Sequence, residues 1–270
     1  MGQRVISYGG GVQSTAMIVL AVQGRVNADA AVFANVGDDS ELPASLRYIR
    51  EVMTPWAGER GFPVHETRRT YADGRPHPTL FQYMTQEGSR SVPIPMRMRS
   101  GAPASRTCTF KWKAEALQQW RTRLGATVDD PFTSLIGFST DEVSRCNTSK
   151  AFPGEIIEYP LVTDLGLTRA DCAQVIRLAG LPVPPKSACR FCPWTKPSAW
   201  AEIKRDDPER FQDAADLEEY LSDRSRYFGN GPLTLTDTKR PLREIGEAQT
   251  PLFAISAEGG ESCDDGVCFT

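Results

Sequence analysis

The sequence predicts an α/β protein: a parallel β-sheet flanked by helices, with a cysteine-bearing helical C-terminal extension. Two observations carry this. Short apolar runs of strand type alternate with segments of helical spacing, the pattern of strands covered on both faces by crossover helices. With 270 residues, 40% of them hydrophobic, the chain is long enough to bury such a sheet.

Taken in order, Arg4-Val5-Ile6-Ser7-Tyr8 is the first strand. It stops at Gly9-Gly10-Gly11 before Val12-Gln13-Ser14-Thr15 and a helix through Met17–Val22. Glycines let the backbone approach an anion, and the N–H groups of a helix start donate to it. Ser14 and Thr15 stand at the cap, where a hydroxyl serves either the backbone or a phosphate. The spacing is neither Gly-x-x-x-x-Gly-Lys-Ser/Thr nor Gly-x-Gly-x-x-Gly, and such a turn reads equally as a sharp packing turn. Ala30–Asn35 is the second strand. Leu42–Met53 has helical spacing, with Pro43 in its first turn and Ser40 as a candidate cap. Phe62–Glu66 is the third strand. Ligands of parallel sheets sit beyond the strands' carboxyl ends, which is where Gly9–Ser14 must lie.

From Thr70 to Thr107 the periodicity breaks down into a Pro-, Gly- and Arg-rich stretch (Arg75, Arg90, Arg97, Arg99, Arg106). Long irregular segments of this kind are binding lids or solvated loops. Lys111–Leu124 is helical, Phe132–Phe138 a strand leading into Ser139–Arg145, Ile156–Leu161 a strand and Arg169–Leu178 a helix. Ser198–Leu221 is helical with a break at Pro208, and a polar tail closes the chain.

A net charge of −3 gives no global pull toward nucleic acid or anionic lipid. No apolar run reaches membrane-spanning length, and the first residues lack a basic-then-apolar leader, so a soluble cytoplasmic protein without membrane contact is expected. Seven cysteines in such a protein read as metal ligands or redox groups before disulfides. Cys189-Arg190-Phe191-Cys192, bounded by prolines, is the clearest; Cys108 lies upstream, and Cys263 and Cys268 sit in the tail. Cys172 falls in a helical pattern as a small hydrophobe. His65 and His77 are isolated and read as non-catalytic.

Several of these segments together resemble one family. Gly9-Gly10-Gly11-Val12-Gln13-Ser14 is similar to a Ser-Gly-Gly-Lys-Asp-Ser loop, and Phe33-Ala34-Asn35-Val36-Gly37 with Glu41-Leu42-Pro43 to a second-strand signature. Cys108 through Leu117 resembles a Cys-Cys-x-x-x-Lys-x-x-x-Leu helix, Gly137 through Arg145 a Gly-x-Arg-x-Asp-Glu-x-x-x-Arg element, and Tyr159-Pro160-Leu161, Leu181-Pro182 and Cys189-x-x-Cys192 keep the same order. These are marks of the PAPS reductase-like branch of the adenine nucleotide alpha-hydrolase (PP-loop) superfamily, covering roughly Val5 to Pro193.

The resemblance implies a Rossmann-like, adenine nucleotide alpha-hydrolase-like fold over 1–185, an extension over 186–245 and a flexible tail over 246–270. It implies an adenine-nucleotide-dependent sulfur-transfer enzyme. Its ligand would be ATP or an adenylylsulfate-type nucleotide, contacted by Ser7, Gly9, Gly10, Gly11, Gln13, Ser14, Thr15, Asn35, Gly37, Glu41, Lys113, Asp141 and Glu142. Cys108, Cys189 and Cys192 would hold a [4Fe–4S] cluster, or alternatively zinc, with magnesium a further candidate. Arg145 would grip a phosphate or sulfate. Cys263 and Cys268, read from the polar tail and not from the resemblance, are either a nucleophile or persulfide carrier that swings to the site or incidental thiols. Partners would be a sulfur donor or thiol reductant and a nucleic-acid or small-molecule acceptor; the oligomeric state is left open. Three departures matter: Gln13 replaces the loop's Asp, Thr109 follows a single cysteine, and the Glu-Cys-Gly-x-His terminus of true reductases is absent. Two alternatives therefore stand beside sulfur transfer: a sulfonucleotide reductase releasing sulfite, and a non-catalytic nucleotide or redox sensor.

Overall fold

The computed structural model describes residues 2–147, 151–227 and 231–245. These fall into two compact units, residues 2–77 with 109–188, and residues 78–108 with 189–245. The chain runs β1 (Arg4–Tyr8), α1 (Val12–Val22), β2 (Ala30–Ala34), α2 (Pro43–Arg47), a π-helical turn Tyr48–Met53, α3 (Thr54–Gly58) and β3 (Val64–Thr67). It continues through α4 (Leu80–Thr85), a second π-helical turn Thr109–Ala114, α5 (Glu115–Arg123), β4 (Phe132–Ile136), a 3₁₀ segment Thr140–Arg145 and β5 (Glu155–Glu158). Helices α6 (Pro160–Thr163), α7 (Arg169–Leu178), α8 (Pro197–Asp206) and α9 (Pro208–Tyr227) follow.

The first unit is α/β. Its five strands are all parallel in the order β3-β2-β1-β4-β5, the doubly wound Rossmann-type arrangement that the alternation predicts. Every residue of β2 is buried, as a central parallel strand requires, which is why Ala30–Ala34 reads as a continuous apolar run. One face packs Ile6, Tyr8, Ala31 and Phe33 against α1 and α7. The other packs Val5, Ala30 and Val32 against Ala116 and Leu117 of α5. In this order the winding of the chain reverses between β1 and β4, and the crevice beyond their carboxyl ends is the natural ligand position.

Some boundaries differ from the sequence reading, for local reasons. Leu42, not Ser40, is the N-cap of α2, and the Ser40 hydroxyl instead donates to Asp39. The strand expected over Ile156–Leu161 ends at Glu158, because Pro160 offers no N–H to a ladder and opens α6 instead. In the second unit, part of the arginine-rich stretch folds. Thr79 and Gln82 form a capping box on α4, and Leu80, Met84, Ile94 and Met96 are buried.

Candidate functional site

β1 ends at Tyr8, and the chain turns through Gly9-Gly10-Gly11 into α1. Gly10 adopts a left-handed backbone (φ +74°), and a Cβ there would lie 2.9 Å from Ile49 Cδ1. Gly11 is the N-cap of α1, and the first turn carries neither a side-chain cap nor an acidic residue. Its N–H groups have no intrahelical carbonyl to meet, and the helix dipole favours an anion in front of them. Gly9 and Gly10 are buried while Gly11 is half-buried, so Gly11 marks the accessible side of the turn. Ser14 braces the turn: its Oγ donates to the Gly11 carbonyl and accepts from the Gly9 N–H, both at 3.3 Å. Ser187 Oγ donates to the Gly9 carbonyl from another side. Thr15 is fully buried, with its hydroxyl 3.3 Å from the Tyr8 hydroxyl, so it belongs to the core rather than to the cap.

The carboxyl end of β4 closes on the same turn. Gly137 stands so near that a Cβ would come within 3.0 Å of Ser14 N and Cα. Gln13, expected to face a phosphate, is engaged along its whole amide. Its Nε2 donates to Glu142 Oε2 at 3.0 Å, and its Oε1 accepts from Arg169 Nη1 at 3.1 Å. Glu142 also pairs with Arg145, whose guanidinium lies 3.9 Å over the Phe138 ring. Asp141 accepts the Arg169 N–H at 2.6 Å and the Ser139 hydroxyl at 3.2 Å, a cap on the start of α7. Glu142 and Asp141 thus brace the β4 end and the α7 start.

Beyond β2, Asn35 spends its side chain internally. Its Nδ2 donates to Asp38 and Glu66, both at 2.7 Å, and its Oδ1 accepts the Gly37 N–H at 2.7 Å. Gly37 (φ +132°) then turns the chain, and its carbonyl accepts the N–H groups of Ser40 and Glu41 at 2.9 Å. Arg50 bonds both Asp38 and Glu66, and its hydrogen bond to Asp38 holds that carboxyl down at about 2.

Glu41 and Lys113 are the most unusual pair. Glu41 is 1% exposed, its Oε1 is buried without a hydrogen-bond partner, and Lys113 Nζ stands 4.0 Å away. Burial pushes the Glu41 carboxyl up, against the pull of Lys113 and of the Val36 backbone. A buried ionisable pair with an orphaned oxygen is costly to keep, which makes the position a candidate functional one. Lys113 also lines a cavity of about 420 Å³, together with Ser7, Phe110, Ile136, Phe152 and Tyr159. Phe110 and Phe152 stack there with ring centroids 5.7 Å apart. Ser7 lies two residues before the glycine turn. The cavity therefore opens beside the carboxyl ends of β1 and β4, on the α5 face of the sheet.

Cys108, Cys189 and Cys192 lie in the second unit. Cys192 N–H donates to the Cys189 carbonyl at 3.3 Å, closing the Cys-x-x-Cys turn, and Cys108 N–H donates to the Pro93 carbonyl at 2.9 Å. Among the described residues, no group of three or more His, Cys, Asp or Glu side chains can hold a metal ion. The [4Fe–4S] cluster expected on Cys108, Cys189 and Cys192, or its zinc alternative, thus finds no support among the described residues. Cys263 and Cys268 lie outside the described residues.

Compared with protein-family models and with curated proteins, the chain matches none. Among solved structures it is similar to the phosphate complex of phosphoadenylyl-sulfate (PAPS) reductase from Candida auris. The TM-score is 0.45 at 13% identity, covering 68% of this chain and 76% of that one.

Two residues at the turn carry no sequence signal. Ser187 sits in a proline-bounded segment that drew notice for its cysteines, and Arg169 reads as the ordinary first residue of a helix. Both matter only because folding brings them to Gly9 and Gln13. The isolated histidines pack on rings, His65 against Trp120 and His77 against Trp112, at 5.4 and 5.5 Å between centroids.

Proposed function

We propose that the first unit binds an adenine nucleotide, with the anionic end over the first turn of α1 and the nucleoside in the neighbouring cavity. The observation that carries this is the uncapped, acid-free α1 start at the sheet's reversal point, reached through a glycine turn. The cavity's size suits a nucleoside. The Phe110–Phe152 stack offers a base a π-face, and Lys113, which lines the cavity, offers a polar partner to base or ribose.

The finer reading, resting on the sequence resemblance, is sulfur transfer. An acceptor oxygen attacks the α-phosphorus of ATP, the α–β bridging bond breaks and pyrophosphate leaves. Hydrosulfide then displaces AMP from the adenylated acceptor, forming the carbon–sulfur bond. Backbone amides at the turn stabilise the charge that develops on the phosphates. No step here runs through a metal cluster.

The test uses the intact chain and Gly11→Val. Gly11 has an extended backbone (φ −93°), and its Cβ would meet nothing nearer than 3.9 Å, so the variant folds while its side chain covers the helix start. Calorimetry with ATP, AMP and adenylylsulfate should show binding that falls at least about tenfold in the variant. Failure of all three nucleotides to bind the intact chain sinks the reading. Pyrophosphate and AMP release supports transfer; sulfite from adenylylsulfate and a thiol identifies a reductase instead; binding without any product identifies a sensor.

A further inference from the structure

The second unit holds a cavity of about 400 Å³ that the proposed function does not use. Five cations line it, Arg97, Arg99, Arg226, Lys239 and Arg243, against three carboxylates. The carboxylates are already engaged. Asp223 pairs with Arg226 at 3.0 Å and Glu219 with Arg243 at 3.2 Å, while Glu218 accepts the Leu235 and Leu242 N–H groups. Arg97, Arg99 and Lys239 make no ion pair among the described residues.

Two of these three are held in place by specific features. Arg97 lies 4.8 Å from the centroid of the Trp194 ring, and its Nε is buried with no hydrogen-bond partner. Lys239 is the one non-glycine residue with a positive φ (+61°) among those described, a strained backbone for a lysine. Gly101 makes room for its side chain: a Cβ at 101 would lie 2.8 Å from Lys239 Cε and 3.2 Å from Nζ. Backbone strain of this kind is concentrated at active sites and ligand clamps. Met98, Leu233 and Pro241 give the same cavity an apolar wall.

We infer that this cavity binds a small phosphomonoester carrying an apolar body, its phosphate held by Arg97, Arg99 and Lys239. Guanidinium and ammonium groups without counter-ions recognise a phosphate dianion through charge-assisted hydrogen bonds. The apolar wall selects a ligand larger than the bare anion. The inference is independent of the nucleotide reading, since every lining residue belongs to the second unit.

The test is calorimetry on the full chain with phenyl phosphate and, separately, inorganic phosphate at millimolar concentrations. Phenyl phosphate should bind the wild type more tightly than inorganic phosphate. Lys239→Gly relieves the positive-φ strain, so it should keep or raise the unfolding midpoint while weakening phenyl phosphate at least about tenfold. Arg99→Ala, at an exposed position, should weaken it likewise, and both losses should persist on a Gly11→Val background, where the α1 start is covered. The inference is overturned by absent binding to the wild type, by wild-type affinity in Lys239→Gly or Arg99→Ala, or by binding that Gly11→Val alone abolishes. Equal affinity for the two phosphates overturns the apolar-body assignment.

Discussion

Replacing Gly137 by alanine tests whether the β4 end and the α1 start are as closely fitted as the structure shows. A Cβ at 137 would sit 3.0 Å from Ser14 N, 3.0 Å from Ser14 Cα and 3.2 Å from the Gln13 carbonyl carbon. Ordinary carbon contacts are about 3.5–4.0 Å, so the overlap approaches half an ångström on backbone atoms. Those atoms cannot swing aside as a side-chain tip would. Every residue of α1 from Val12 to Leu20 is buried, which leaves the helix no room to retreat. Gly137 is not in the left-handed region, so the whole cost is steric. Overpacking of this kind costs about 1–3 kcal/mol, and about 2 kcal/mol is expected here. That corresponds to a melting point lower by about 4–8 °C. Urea and thermal unfolding measure the loss, and AMP titration should show weaker binding because the first turn moves. Gly24→Ala is the control: φ is +72° with nothing within 4 Å of its Cβ. It should lose about 1 kcal/mol from backbone strain alone and bind AMP normally. A Gly137→Ala protein as stable as wild type would refute the close-approach argument.

Three further outcomes are expected. Arg121 and Glu155 form an ion pair whose side chains are only 5% and 6% exposed, with Ser134 hydrogen-bonded to both. Glu155→Ala should cost about 3–5 kcal/mol in urea unfolding by stranding the arginine, whereas Arg121→Met with Glu155→Leu should recover most of it. Asp38 is held at about 2, mainly by its hydrogen bond to Arg50, against an ordinary 3.8. A depressed carboxyl stabilises the fold above its unfolded value and loses that contribution as pH falls through its folded one. The stability gap between wild type and Asp38→Asn should therefore be full at neutral pH and close as pH falls from about 4 to 2. The Asp38 side chain is about half exposed, so added salt should narrow that gap too, and a gap independent of pH would contradict the assignment. Cys172 is fully buried, and burial pushes its thiol up to about 12. Peptide mapping after labelling at pH 8 should find it unmodified in the folded protein and modified in urea; native labelling would contradict the packing.

Sequence alone determined the elements whose causes are local. The apolar run Arg4–Tyr8 stopped by three glycines became β1 and the turn, and the periodicity of Arg169–Leu178 gave α7 its observed bounds. The alternation of strands and helices specified a parallel sheet because crossover helices cover both of its faces. What the side chains at the turn do was decided only by tertiary approach. Gln13 reads as a free donor beside a glycine loop, yet it is bonded to Glu142 and Arg169, partners 129 and 156 residues away. The pairing of Glu41 with Lys113 likewise depends on how the β2 end meets the turn before α5. The cysteines show the converse: the Cys189-x-x-Cys192 spacing, with Cys108 added by the family resemblance, suggested one metal, and no group of three or more metal-holding side chains is found among the described residues. Propensity and periodicity act over a few residues, whereas bonding partners depend on which distant segments the sheet order brings together. That order, β3-β2-β1-β4-β5, is a property of the packed core and is written in no single stretch of the chain.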